Sequence, residues 1–186
     1  MGAMDAVVRS DFAKQKGGNL KTLRLLLFSA CNRDCDQCCN KDWDLKALPI
    51  ERDFTQYDEV LLTGGEPMLS PRRVWEAVEH IRAQNTTAKI HLYTAMVRPV
   101  LVDLLRHNLD GVTLTLHDQN DVTETLYAFL AIAPRLQPAK SLRLNVFEGV
   151  VVEDVEGWQV KRNMVWLPQC PLPANETFCR ADWRKA

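Results

Sequence analysis

The chain predicts an α/β protein whose mostly parallel, curved sheet forms an open partial (β/α) barrel of five or six units. Three observations lead there. Short apolar segments at 21–28, 60–62, 89–94, 112–117 and 141–147 alternate with stretches of helical periodicity, the rhythm of βα units joined by right-handed crossovers. The length, 186 residues, falls short of the ~250 typical of a closed eightfold barrel. Within the strands, leucine and valine alternate with polar residues, so one face can pack on helices while the other lines an opening.

The first strand, 21–28, sets Leu23, Leu25 and Leu27 against Arg24. An irregular connection follows, with a short helix expected over 50–57. The strand 60–62 ends at Gly64-Gly65. Ser70 then reads as a side-chain cap, and Pro71 as a first helical residue that needs no donor. Val74, Val78 and Ile81 mark that helix's inner face. After the strand 89–94, a helix begins near Pro99 with Leu101, Leu104 and Leu105 inward. Gly111 leads into 112–117, where Val112, Leu114 and Leu116 oppose Thr113, Thr115 and His117. Asp121 and Glu124 have capping-box spacing ahead of Leu126, Phe129 and Leu130, and Pro134 stops the helix. The strand 141–147 sets Leu142, Leu144 and Val146 against Arg143 and Asn145. An irregular sixth strand is expected at 164–167.

These elements divide the chain into a core over 20–167, an N-terminal extension over 1–19, and a tail over 168–186 that covers or flanks the barrel. Met1-Gly2-Ala3 before Met4 looks like an expression remnant. Trp158, Trp166 and Trp183 are available to cover the open edge, and Arg180, Arg184 and Lys185 make the tail basic.

Composition narrows the class of function. With 46% hydrophobic and 25% charged residues, the chain suits one folded core. Lysine and arginine total 23 against 24 acidic residues, so no broad charge attracts nucleic acid, which is not expected as a partner. No apolar run approaches bilayer length, so membrane insertion is not expected, and no secretory order opens the chain. A cytoplasmic setting follows as the expectation. There the six cysteines point to metal ligation rather than a disulfide framework.

Three of them fall in Cys31-Asn-Arg-Asp-Cys35-Asp-Gln-Cys38, directly after the first strand. Thiolates are soft ligands suited to iron–sulfur clusters, and this loop can hold three irons of a 4Fe–4S cluster. A structural zinc site would more often pair cysteines at two-residue spacing with a distant second pair. A ferredoxin-type cluster would more often find its fourth cysteine locally. Neither accounts for Thr63-Gly64-Gly65-Glu66-Pro67 at the end of the next strand. Those glycines permit close backbone approach and unusual dihedrals.

With both motifs in this order, the chain resembles the radical S-adenosylmethionine (radical SAM) superfamily as a compact single-domain member. The resemblance covers about residues 20–147 and is concentrated in 31–67. It implies that Cys31, Cys35 and Cys38 ligate one 4Fe–4S cluster whose fourth iron binds S-adenosyl-L-methionine. It further implies an external electron donor, and reductive cleavage of the cofactor to a 5′-deoxyadenosyl radical that abstracts hydrogen from a small-molecule or protein substrate. Gly64, Gly65, Glu66 and Pro67 would contact the cofactor, with Glu66 accepting a charge-assisted bond from the cofactor's ammonium group. Many family members have an aromatic residue just before the last motif cysteine, where this chain has Gln37. A base-edge bond from Gln37, or apolar contact from Phe28 or Tyr93, would replace it. His117 falls where the family contacts ribose. Thr94, Arg143 and Asn145 complete the pocket set, with a structural ion pair as the other reading of Arg143.

The chain also looks like the glycyl-radical activating enzymes, which act on a protein partner, and the compact 7-carboxy-7-deazaguanine synthases. A non-catalytic iron–sulfur protein for electron transfer or regulation is the reading outside enzymes. Cys39 is expected to pack near the loop. Cys170 and Cys179 would bind a second metal centre, serve redox chemistry or pack in the tail.

Overall fold

The computed structural model describes residues 20–133 and 140–182. Pro134, Trp183, Arg184, Lys185 and the extension 1–19 lie outside the described residues. One sheet organises the rest: β1 (Thr22–Leu26), β2 (Ile50–Glu51), β3 (Glu59–Thr63), β4 (Lys89–Thr94), β5 (Gly111–Leu116), β6 (Ser141–Phe147), β7 (Gln159–Met164) and β8 (Glu176–Ala181). Its order is β2-β8-β1-β3-β4-β5-β6-β7, and every pairing is parallel. The protein is therefore α/β, and its described residues form a single open, all-parallel sheet of eight strands.

A short helix α1 (Cys39–Asp42) sits in the cysteine loop, and α2 (Pro71–Gln84), α3 (Val100–His107) and α4 (Ala128–Ile132) connect β3 through β6. Side-chain alternation decides the two faces. Leu23, Leu25 and Leu27 share one core with Val112, Leu114 and Leu116 and with the inward residues of α2 and α3. Each such leucine, fully buried, contributes about 1.5–3 kcal/mol. On the opposite face a smaller cluster joins Leu26, Leu48 and Phe178, with Trp43 and Leu172 packed against it.

Several expected elements differ, each for a visible reason. Residues 50–57 are not a helix. Ile50–Glu51 pairs with β8 as β2, the Glu51 carboxylate accepts from the Arg52 and Asp53 N–H groups and the Tyr57 hydroxyl, and Phe54 is fully buried. These local carboxylate bonds compete with helical ones. Ser70 makes no side-chain cap, so Pro71 alone carries the start of α2. Asp121 does not cap a helix either, because Val122–Tyr127 forms a π-helical turn before α4. That turn buries Leu126 and Phe129 but leaves Leu130 exposed.

The largest difference lies near the C-terminus. The sixth strand expected at 164–167 is β7, ending at Met164, and the segment read as a tail supplies β8 between β2 and β1. Residues 165–175 therefore cross from one edge of the sheet to the far side. Among the described residues, no helix is long and apolar enough to cross a membrane.

Candidate functional site

The C-terminal end of β1 is joined to the end of β3 by backbone alone. Leu27 N–H donates to Thr63 O at 2.9 Å, Gly65 N–H to Phe28 O at 2.8 Å and Glu66 N–H to Ala30 O at 2.9 Å. This close approach explains the two glycines. A Cβ on Gly65 would lie 1.9 Å from Ala30 O, and one on Gly64 would lie 2.5 Å from Phe28 O. Neither has positive φ, so the requirement is space and not the unusual dihedrals expected. Asn40 Nδ2 then donates to Gly64 O at 2.7 Å, closing the far end of the cysteine loop onto the same turn.

Cys31, Cys35 and Cys38 are free thiols. With Gly64, Gly65, Glu66, Thr94, His117 and Asn145 they line one cavity of about 350 Å³. Burial pushes the Cys35 thiol up, and the neighbouring Cys38 and Cys31 sulfurs push it further, against the pull of Arg33 and Lys41. Three sulfurs that repel one another when ionised, with the Arg33 N–H donated to Cys31 Sγ at 3.4 Å, are a donor set suited to an iron–sulfur cluster. The chemistry fits, although among the described residues no group of three or more His, Cys, Asp or Glu side chains is arranged to hold a metal ion.

Glu66 is 3% exposed. Its Oε1 accepts from Met68 N–H at 2.8 Å and from the Thr94 hydroxyl at 2.5 Å, and its Oε2 from Ala95 N–H at 2.9 Å. Burial raises its pKa against the pull of those donors. The carboxylate thus ties the turn after β3 to the end of β4. An ammonium partner would have to use the lone pair that remains. Pro67 opens the 3-10 turn Pro67–Leu69 and is buried away from the cavity lining.

His117, at the end of β5, stacks on Trp166 with ring centres 5.5 Å apart and lies 5.0 Å from Phe147. Its backbone N–H donates to Asp121 Oδ2 at 2.7 Å. Asp121 is 1% exposed and also receives both Nη groups of Arg33. Burial alone would raise this carboxyl, but hydrogen bonds from His117 and Arg33 hold it well below the usual carboxylate range.

Like Pro67, two more expected contacts fall elsewhere. Gln37 is exposed and outside the cavity. Arg143 points to the opposite end of the strands, where it donates to Ser141 Oγ at 3.1 Å and Glu59 Oε1 at 3.4 Å. That arrangement is the structural ion pair. Sequence reasoning missed Arg33, Phe147 and the role of Asp121, none of which carries a local motif. It also missed that Cys39 and Cys170 form a disulfide, with Cα atoms 5.3 Å apart. That bond fastens the crossover 165–175 to the residue beside Cys38. Cys179 is free and buried in the helix-side core.

Comparison with models of known protein families finds no match, and comparison with curated proteins finds none either.

Proposed function

We propose that this chain is a radical S-adenosylmethionine enzyme built on a curved partial (β/α) barrel. The observation that carries the reading is the convergence of Cys31, Cys35 and Cys38 with Gly64, Gly65 and Glu66 on one cavity. Their backbones are locked together at Gly65–Phe28 and Glu66–Ala30. Curvature is supported by the Glu59–Arg143 contact, which spans β3 to β6. In a flat sheet those strands would stand about 14 Å apart.

On this reading the three thiols hold the irons of one 4Fe–4S cluster and leave one iron for the cofactor. The chemistry supplied there is one-electron reductive cleavage of the sulfonium C5′–S bond, fed by an external reductant, to methionine and a 5′-deoxyadenosyl radical that takes a hydrogen atom from substrate. The chain's own residues bind and exclude. Asn145 and Thr115 offer polar groups to ribose or substrate, and His117, Phe147 and Trp166 offer flat surfaces to the base. Val165, Trp166 and Leu167 of the crossover line one side of the cavity, where they would help keep water from the reacting centre. An oxygen-sensitive centre calls for a reducing interior, so we place the protein in the cytoplasm, where the Cys39–Cys170 bond is under reductive pressure.

Anaerobic reconstitution tests the reading. Reductant-dependent formation of 5′-deoxyadenosine from S-adenosylmethionine is expected, and it should disappear on alanine substitution of Cys31, Cys35 or Cys38. An intact, reducible cluster that never cleaves the cofactor, even with cell extract supplying substrates, would end it.

A further inference from the structure

The cavity has two differently built ends. Toward β5, β6 and the crossover stand the rings of His117, Phe147 and Trp166. Toward β1 and β8, the Arg24 guanidinium lies 6.0 Å from the Phe178 ring centre, and Trp43 meets Phe178 edge-on at 5.4 Å. Arg24, Trp43 and Phe178 all line the cavity.

Arg24 is held but not saturated. Its Nε donates to Glu176, whose side chain is 7% exposed, while the Arg24 side chain is 27% exposed. Among the described residues neither Nη group has a hydrogen-bond partner. A guanidinium fixed through Nε keeps its Nη edge for a planar pair of oxygens. The position also suits a second ligand. Arg24 precedes Phe28 by four residues, so it sits about 13 Å along the strand from the turn that seats the cysteine loop.

We infer that Arg24 is a substrate-binding residue that takes the carboxylate of a small organic acid whose flat apolar body lies against Phe178 and Trp43. The inference rests on the radical reading for the role of the opposite end. There a cofactor held by the cysteine loop would face the acid across the cavity. Glu176 orients the guanidinium and moderates its charge, so the acid is held reversibly.

The test is a calorimetric titration of anaerobically reconstituted, full-length protein, without S-adenosylmethionine, using indole-3-acetate and indole-3-acetamide. The two probes match in size and differ in charge. The acid should bind about tenfold more tightly than the amide, and Arg24→Gln should abolish the difference. Equal affinities, an acid preference that survives Arg24→Gln, or no acid binding at millimolar concentration overturns the inference. Where Arg24→Gln does not fold, Glu176→Gln decides. A wider acid preference supports the site, and an unchanged or narrower one overturns it. The titration needs no turnover. An Arg24-dependent preference in a protein that never cleaves the cofactor would sink the radical reading alone.

Discussion

The Arg33 guanidinium closes on the Asp121 carboxylate with both Nη atoms, so the loop carrying the three free thiols is bolted to the end of β5. The two side chains are unequal partners. Asp121 is 1% exposed and Arg33 is 22% exposed. Arg33→Gln leaves a buried carboxylate without its cation and should cost about 3 kcal/mol. Asp121→Asn should cost less, because the arginine can turn toward water. Urea unfolding of both variants checks the asymmetry, and equal losses would refute it. The pH sign follows from the depressed Asp121 pKa. Its stabilisation is fully present above the ordinary carboxylate value, ~3.9, and is lost as pH falls through the lower folded value. The acid midpoint should therefore rise in Arg33→Gln.

His91 gives a second pH signature. It is buried at the end of the sheet opposite the cysteines, with Nε2 3.5 Å from Glu59 Oε1. Burial, then the charge of Arg143, pushes its pKa down to about 4, with Lys89 adding to Arg143 and Asp110 opposing both. The imidazole is thus neutral, and its contact with Glu59 is not an ion pair. The unfolded chain takes up a proton near pH 6.5 where the folded one does not, so stability should fall by about 3 kcal/mol as pH drops from about 6.5 to 4. Subtracting the His91→Gln profile isolates this slope. Parallel profiles would show that His91 titrates as it does in water.

Much of this was legible in sequence, and the exceptions share a cause. The strands β1 and β3 to β6 alternate visibly because each has one face on helices and the other on the cavity side. The strand β8 was hidden. Glu176-Thr-Phe-Cys-Arg-Ala follows Pro168, Pro171 and Pro173 and reads as an irregular tail until β1 and β2 supply its hydrogen bonds. The cysteine spacing and Gly64-Gly65-Glu66-Pro67 could be read locally. Arg33–Asp121 joins residues 88 positions apart and Cys39–Cys170 residues 131 apart, pairings with no periodic or local signature. Glu66 could be singled out from its local motif as a candidate but not as a clamp, because its donors Thr94 and Ala95 arrive from another strand end.

The Cys39–Cys170 bond predicts a thiol count. Alkylation of unfolded protein isolated under oxidising conditions should modify four cysteines, and after reduction all six. Six without reduction would show that the bond does not form. Cys170→Ser should cost the oxidised protein about 2–5 kcal/mol and the reduced protein much less. Its effect should centre on the crossover, seen as faster hydrogen exchange over 165–175.

Gly65→Ala separates shape from chemistry at the site. The added methyl would meet Ala30 O at 1.9 Å and Ala30 C at 2.3 Å, both backbone atoms that no rotamer change can move aside. The entry to the cysteine loop must then lift from the turn after β3, breaking the Gly65–Phe28 and Glu66–Ala30 hydrogen bonds. A cost of about 2–3 kcal/mol is expected, together with faster alkylation of Cys31, Cys35 and Cys38 in the folded, cluster-free protein. Gly149→Ala is the control. Its φ of +84° carries left-handed strain but nothing lies within 4 Å of the new methyl, so it should cost about 1–2 kcal/mol and leave those thiol rates unchanged. Should both variants leave the thiols equally slow to react, the loop is not seated by the close approach at Ala30, and the glycine pair has some other purpose.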